Sequence, residues 1–474
     1  MKNQVERVEL MEAKSIHILA CPFRFGSERT EIQGFMDEVE ENGWKFKDIT
    51  DMDFLKDSEL TRKRENFMRY QYFSGSARNI FCAGKKGSCR IFEYGNVLDY
   101  SYYIKCREKE YKLPIDEIEM HLYDCGVGVL FVRFLNKEYT SIADIEVIND
   151  YSRRVMLPFL PSEPDGVLLC AEKIGIYKNE DQLKDEKETG SLKDVCISDF
   201  RWRVQQRKKL NEQADFIEEL IFHHLEKEGL CTPQRNIEYY TDDRLLLLCV
   251  LRDKQLSETL KKGMDQLDKA EREQLYRLIY VDCKDTSCQD GRMQKELLQE
   301  AIYPRWSGWG TIHAATSYSM LCITGESSGA NEGVVRPFVI EYTYIFSLVL
   351  AQKYAISKFS EIAGKAVGGI EEKGVIGPPK TDSLTDLQEE YVAFKNKLMI
   401  LEVTPQEQGI EIYHLLKKQF RIADEQAILD EQLESLYEII NTSNGERLNK
   451  AAFWIAVLAI GIQIACTIAE ILWG

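Results

Sequence analysis

The chain has 474 residues, 44% of them apolar and 29% charged, which is the make-up of a multidomain folded protein and excludes a disordered one. A formal net charge of −17 and a pI near 5.1 repel phosphate backbones, so no nucleic acid is expected as a partner. Thirteen cysteines lie scattered from Cys21 to Cys466 without a CxxC pair, and there are six histidines. They imply free, mostly buried thiols in a reducing compartment rather than a structural zinc site.

The first residues, MKNQVERVELMEAK, are charged and lack an apolar h-region, so no export signal is expected. SIHILACPF (15–23) predicts a strand. TEIQGFMDEVEENG (30–43) predicts a helix, with Ile32, Phe35, Met36 and Val39 at helical spacing and Gly43 as its stop. Strands are predicted at RNIFCAG (78–84), CRIFEYG (89–95) and SYYIKC (101–106). EYKLPIDEIEMHLYDCG then leads into GVGVLFVRFLN, the most strand-like run of the first half. ADIEVINDYSRRVMLPFL (143–160) predicts a helix, and residues 1–160 together read as a mixed α/β domain.

Residues 178–194 read as a polar, charged linker. After it, WRVQQRKKLNEQADFIEELIFHHLEKEG is predicted helical, and LLLLCVL, YRLIYVD and TIHAATSYSMLCIT are strand candidates. Residues 161–336 are thus a second α/β layer or an extension of the first sheet. Helices take over from Pro337, at 338–364, 383–404 and 405–441, the last carrying Leu429, Leu433, Leu436 and Ile440 as a coiled-coil-type seam. Residues 337–446 form a helical stalk region in this reading. The fold class expected is α+β: a large mixed α/β body, long helices, a stalk and one C-terminal transmembrane helix in 447–474.

That last segment, AAFWIAVLAIGIQIACTIA (451–469), has no charge, and at 1.5 Å per residue it spans roughly 28 Å. Trp454 and Trp473 stand where interfacial anchors belong, and Arg447 with Lys450 precede it, which predicts a tail anchor in the cell membrane with a cytoplasmic N-terminal body. The 338–362 helix contains Glu341, Gln352, Lys353 and Lys358. Its uncharged stretch, Tyr342 to Ala351, is too short to cross, so it reads as a buried or interface helix. Asn449, Ala452, Ala456, Ala459, Gln463, Cys466 and Glu470 recur at 3-4-3-4 spacing and are small or polar. Such a stripe predicts self-association. The result is either a pore, with Gln463, Thr467 and Glu470 meeting the ion path, or a plain oligomeric anchor.

Other candidates are weaker. Gly84-Lys85-Lys86-Gly87-Ser88 lacks P-loop spacing and reads as a hairpin turn. Arg153 and Arg154, beside Asn149 and Asp150, either fork an anionic ligand or end a helix in salt bridges. WRVQQRKK (202–209) is a basic helix face, and His223-His224 are a poor metal pair. RWSGWG before TIHAATSYSML either lines a pocket or turns into a core strand. No catalytic motif or metal set stands out, so an enzyme is not expected.

An α/β body followed by long helices, a stalk and a C-terminal membrane segment resembles the CorA-like metal-ion transporter superfamily. INDYSRRVMLPFL (148–160), IFSLVLAQKYAISKFSEI (345–362), KLMILEVTPQEQGIEIYHLLKKQ (397–419) and ERLNKAAFWIAVLAI (446–460) are similar to segments of a divergent, poorly characterised bacterial group of that superfamily. The resemblance implies a homopentamer with a stalk at 405–446 and a pore helix at 449–470. The Gly-Met-Asn motif and the second membrane helix of the family are missing. It further implies ion transport or membrane perturbation by a ligand-gated effector with a cytosolic sensor, and a divalent cation or nucleotide messenger as the ligand. The alternative is a non-conducting signalling or antiviral-defence scaffold.

Overall fold

The computed structural model of the chain describes residues 12–26, 29–39, 44–50, 60–95, 97–157, 170–179, 195–200, 202–203, 213–222, 237–240, 243–371 and 381–438. The chain divides into two units, Met1–Ala355 with Phe394–Ile422, and Ile356–Ala393 with Ala423–Gly474. The first unit is built on a sheet of 13 strands. In chain order these are β1 (Ser15–Arg24), β2 (Trp44–Phe46), β3 (Cys89–Tyr94), β4 (Tyr100–Cys106), β5 (Lys109–Tyr123), β6 (Val127–Asn136) and β7 (Lys173–Lys178). They continue with β8 (Val195–Asp199), β9 (Glu238–Tyr239), β10 (Leu246–Arg252), β11 (Ile302–Tyr303), β12 (Ile312–Ala315) and β13 (Ser319–Thr324).

The main path runs β11-β12-β13-β10-β1-β6-β5-β4-β7-β8, with β3 beside β5, β2 beside β3, and β9 beside β1. The two sequence halves therefore share one sheet: β10, from beyond residue 161, pairs antiparallel with β1, Ile18 opposite Leu248. The neighbouring pair β10 and β13 is parallel, so the chain needs helices to cross between them. The run LLLCVLR of β10 is buried at every position because both faces of the sheet are covered.

Alternation sorts the strand residues between those faces. Leu19, Cys21 and Phe23 of β1, Met120 and Leu122 of β5, and Leu247, Cys249 and Leu251 of β10 join one hydrophobic core. That core also takes Ile145 and Ile148 of the helix Ile142–Ser152, Phe216 and Leu220 of Asp215–Phe222, and Leu275 and Ile279 of Lys269–Tyr280. On the opposite face of β5, His121 Nδ1 lies 2.9 Å from Ser347 Oγ of the long helix Asn331–Lys365.

Two predicted strands are helices. RNIFCAG lies in Gly75–Phe81 and its C-cap, where Ser74 Oγ accepts from the Ala77 N–H and starts the turn. YRLIYVD overlaps Lys269–Tyr280, which Asp268 and Glu271 open with a reciprocal capping box. Gly84–Lys86 is a 3-10 turn leading from the first of these helices into β3, rather than a hairpin. The predicted 405–441 helix is two: Glu407–Gln419 stops at Phe420, Arg421 takes φ 53°, and a second helix runs over 422–438. Leu429, Leu433 and Leu436 are buried in it, as the seam predicted, and Ile440 lies outside the described residues.

The expectation of a tail anchor, with a single pass through the cell membrane at the C-terminus, is corrected. Among the described residues, the one helix long and apolar enough to cross a membrane is Asn331–Lys365, of 35 residues, with a most apolar 18-residue window of mean hydropathy 1.5. It lies mid-chain, with about 110 residues after it. The segment 451–469 lies outside the described residues. Counting only the uncharged stretch from Tyr342 to Ala351 made the helix too short. A window of 18 residues within it carries at most two charges, so a membrane length of it remains apolar. Of that window 89% is buried inside the protein, as the reading of a buried or interface helix expects.

Candidate functional site

The long helix starts immediately after β13. Gly325–Ser327 turn the chain, and Ser327 Oγ accepts from the Ala330 N–H at 3.2 Å. Its first turns are widened twice into π-helix, at Asn331–Val335 and at Phe338–Tyr342. Pro337 stands between them. It has no N–H to give to the carbonyl four residues back, and its ring would strike that carbonyl in an α-helix, so wider turns relieve both problems. Thr343 Oγ1 donates to the Phe338 carbonyl at 3.2 Å, inside the second wide turn. Single π-turns of this kind recur at functional sites.

Two cavities open along these turns, and both are lined by Trp306 and Gly333. The first, of about 360 Å³, is bounded by Trp309, Thr311, Thr324 and the glycines at 325 and 329. Thr311 Oγ1 and Thr324 Oγ1 share a hydrogen bond of 2.7 Å across β12 and β13 at this cavity. The 3-10 turn Ser307–Trp309 ends on Gly310, whose φ of 73° is left-handed. A Cβ there would stand 2.1 Å from Ser257 Oγ and 2.5 Å from the Ser257 carbonyl, so only glycine lets the turn close.

The second cavity, of about 270 Å³, is lined by Tyr72, Trp306, Glu341, Tyr342, Gln406 and Gln408 among others. Its far wall is fixed by charge. Arg305 Nη1 donates to Glu411 Oε2 at 2.7 Å and Arg305 Nη2 to Glu407 Oε2 at 3.2 Å, with Tyr303 also donating to Glu411. These bonds tie the turn bearing Trp306 to the helix Glu407–Gln419, at whose N-cap Gln406 sits. Glu341 is 4% exposed, and its Oε2 has no hydrogen-bond partner in the protein. Behind Trp306 lies His313, 5.6 Å from the rings of both Trp306 and Tyr342, with neither ring nitrogen hydrogen-bonded. Burial drives its pKa down to about 3, so it is a neutral, flat spacer at physiological pH.

A second polar cluster holds the middle of the helix. Ser347 Oγ meets His121 Nδ1 at 2.9 Å and the Tyr123 hydroxyl at 2.8 Å, and His121 Nε2 is 3.5 Å from Glu119. The order is that of a serine–histidine–acid relay. The 3.5 Å contact is long for a hydrogen bond, however, and Ser347 and His121 are each fully buried. Burial lowers the His121 pKa, against the pull of Glu119, so the ring is a neutral hydrogen-bonding pin. Lys47 donates to Glu119 and, at 2.8 Å, to Glu117. Burial alone would raise the Glu119 carboxyl, but Lys47, then His121 and Arg69, hold it well below the usual range. Lower on the helix, Gln352 Nε2 donates to the Leu398 carbonyl at 2.7 Å and to the Tyr413 hydroxyl at 2.9 Å.

Of the residues singled out in the sequence, Arg153 and Arg154 are turned onto the protein itself. Arg153 is buried over the Tyr318 ring, 4.9 Å from its centroid, and donates to the Leu245 carbonyl. Arg154 forks onto Asp150 at 2.8 and 3.0 Å. Asn449, Ala452, Ala456, Ala459, Gln463, Cys466, Thr467 and Glu470 lie outside the described residues, as do His223, His224 and 204–209. The eleven described cysteines are free thiols, half-buried at Cys283 and Cys288 and buried elsewhere. Among the described residues no group of three or more His, Cys, Asp or Glu is placed to hold a metal ion. Both alternatives for RWSGWG are realised together: its tryptophans line the first cavity, and β12 behind it is a core strand. The Glu341 cavity was missed, although a lone carboxylate inside an apolar helix was its signal.

Compared with protein-family models, curated proteins and solved structures, the chain matches none.

Proposed function

We propose that this protein is a ligand-responsive membrane effector of the CorA-like kind, acting as a homo-oligomer. In it the cleft at the head of the long helix is the input and the helix itself the output. One observation carries the reading: a single helix, Asn331–Lys365, both lines the two cavities with its first turns and has the length and hydropathy of a membrane crossing. A ligand that binds the cleft better in one helix position than in another would shift the population of that position. The CorA-like resemblance adds oligomeric assembly and ion passage or membrane perturbation as what such a shift would accomplish.

A second reading, a non-conducting signalling or antiviral-defence scaffold, is favoured by the 89% burial of the apolar window and the polar pins at Ser347 and Gln352. In that case the helix is a permanent core element. The deciding experiment adds the full chain to dye-loaded anionic liposomes and measures leakage, with light scattering of the detergent-solubilised particle for subunit number. Leakage by a symmetric oligomer supports the effector. An oligomer that leaves the vesicles intact supports the scaffold, and a monomer that leaves them intact overturns both.

A further inference from the structure

The Glu341 cavity has the chemistry of a receptor for one class of small molecule. We propose that it binds a small organic cation bearing N–H donors, a guanidinium or primary ammonium group, between the rings of Trp306, Tyr72 and Tyr342, with Glu341 as the anion that receives it. This names the ligand class of the cleft and rests on the reading of that cleft as an input site.

Glu341 Oε2 is buried and unpartnered, and a buried polar atom left so destabilises the fold, more when charged. A site that tolerates this cost gains it back when a donor arrives. Arg69 and Arg336 act on the carboxylate through their charge, but neither donates to Oε2. The Arg69 guanidinium lies over the Tyr344 ring, 4.9 Å from its centroid, and Arg336 reaches toward Glu332 at 3.7 Å and onto Met68.

The walls favour a cation as well. Tyr72 and Tyr342 stand with ring centroids 6.4 Å apart and planes 55° from parallel, and Trp306 completes the third side. Aromatic faces gathered at this spacing attract ammonium and guanidinium groups through the ring quadrupole, more strongly when water is excluded. Gln408 Nε2 is already spent on Gln406 Oε1 at 2.8 Å, leaving amide oxygen of Gln408 to accept from a ligand. An inorganic anion finds the opposite: a carboxylate and π faces.

Size limits the ligand further. A volume of about 270 Å³ accommodates a short alkyl amine or guanidine. The first cavity, sharing Trp306 and Gly333, leaves room for the distal end of such a chain.

The test is isothermal titration calorimetry of the full chain with agmatine, which carries both cationic groups, and separately with inorganic phosphate. Saturable binding of agmatine is expected, weakened about tenfold or more in Glu341→Gln, the loss of one charge-assisted hydrogen bond. Trp306→Phe, which keeps a ring, is expected to weaken it less than Trp306→Leu. No agmatine binding, affinity unchanged in a folded Glu341→Gln, or phosphate bound in its place overturns the assignment. Calorimetry needs no membrane, so its failure is distinguishable from a failure to permeabilise liposomes.

Discussion

Lys47→Met is the sharpest test of how the body holds the long helix. Lys47 is 5% exposed and bridges Glu117 and Glu119, the latter 4% exposed. Removing it does not strand both carboxylates equally. Glu117 keeps Arg133, whose Nη2 lies 2.7 Å away, while Glu119 retains only the long contact to His121 and the more distant field of Arg69. One buried charge loses its main partner, which places the loss near the lower end of the usual range, about 3 kcal/mol. Glu119→Gln removes that charge, so the double variant is expected to be more stable than Lys47→Met alone, with a coupling of about 2 kcal/mol. The assay is urea unfolding followed by tryptophan fluorescence, Trp44 being buried in β2, close in sequence to Lys47. The sign with pH follows from the folded state. The Glu119 carboxyl is depressed below its unfolded value, so its contribution is complete above the ordinary carboxylate range and fades only as pH falls through the lower folded value. The Lys47–Glu119 effect should therefore be flat from about pH 6 to 8 and shrink in acid. A Lys47→Met midpoint within about 0.5 kcal/mol of wild type, or strict additivity in the cycle, refutes the reasoning.

Three further outcomes are expected. Ser347→Val leaves His121 Nδ1 and the Tyr123 hydroxyl without their shared partner and should destabilise by about 2–3 kcal/mol, with faster amide exchange along the helix. Gly310→Ala must hold φ near 73° and push on the Ser257 backbone, so a loss of at least about 2 kcal/mol is expected in thermal melts. Arg154→Ala strands Asp150, which is 3% exposed, and should cost about 2–3 kcal/mol. Its phosphate affinity in calorimetry should equal wild type, because the fork is already filled.

What the sequence disclosed follows the range of the forces involved. Period-2 and period-3.6 patterns depend on near neighbours, and they located β1, β3, β4, β6, β10 and the helix around Phe35. The two misread strands, at Ile80 and at Ile279, are short apolar runs that either structure can bury. Their caps at Ser74 and Asp268 were the arbiters, and both were present in the sequence. The single sheet was not legible, because the pairing of Ile18 with Leu248 joins residues far apart in the chain. The cleft failed for the same reason. Tyr72, Trp306, Glu341 and Gln408 come from four separate stretches, and only Trp306 and its turn drew notice as a pocket. The arginine pair drew notice as a pair, but a sequence cannot show that Asp150 and Tyr318 occupy both guanidinium groups.

The polar residues of the long helix fix what any output must overcome. Ser347 and Gln352 make four hydrogen bonds to His121, Tyr123, the Leu398 carbonyl and Tyr413. At roughly 0.5–1.5 kcal/mol for each, moving the helix out of its seat costs on the order of 2–6 kcal/mol before the apolar surface is counted. A shift from one part in a hundred to ninety-nine needs about 5.5 kcal/mol of differential binding, so a single ligand is sufficient only if it binds the displaced state some ten-thousandfold better. Gln352→Leu removes two of the four bonds, lowering the cost by about 1–3 kcal/mol. The effector reading then requires liposome leakage to rise at least about fivefold in this variant at equal membrane-bound protein. Leakage indistinguishable from wild type in a folded Gln352→Leu chain would remove the helix as the output and leave it a core element of the sheet.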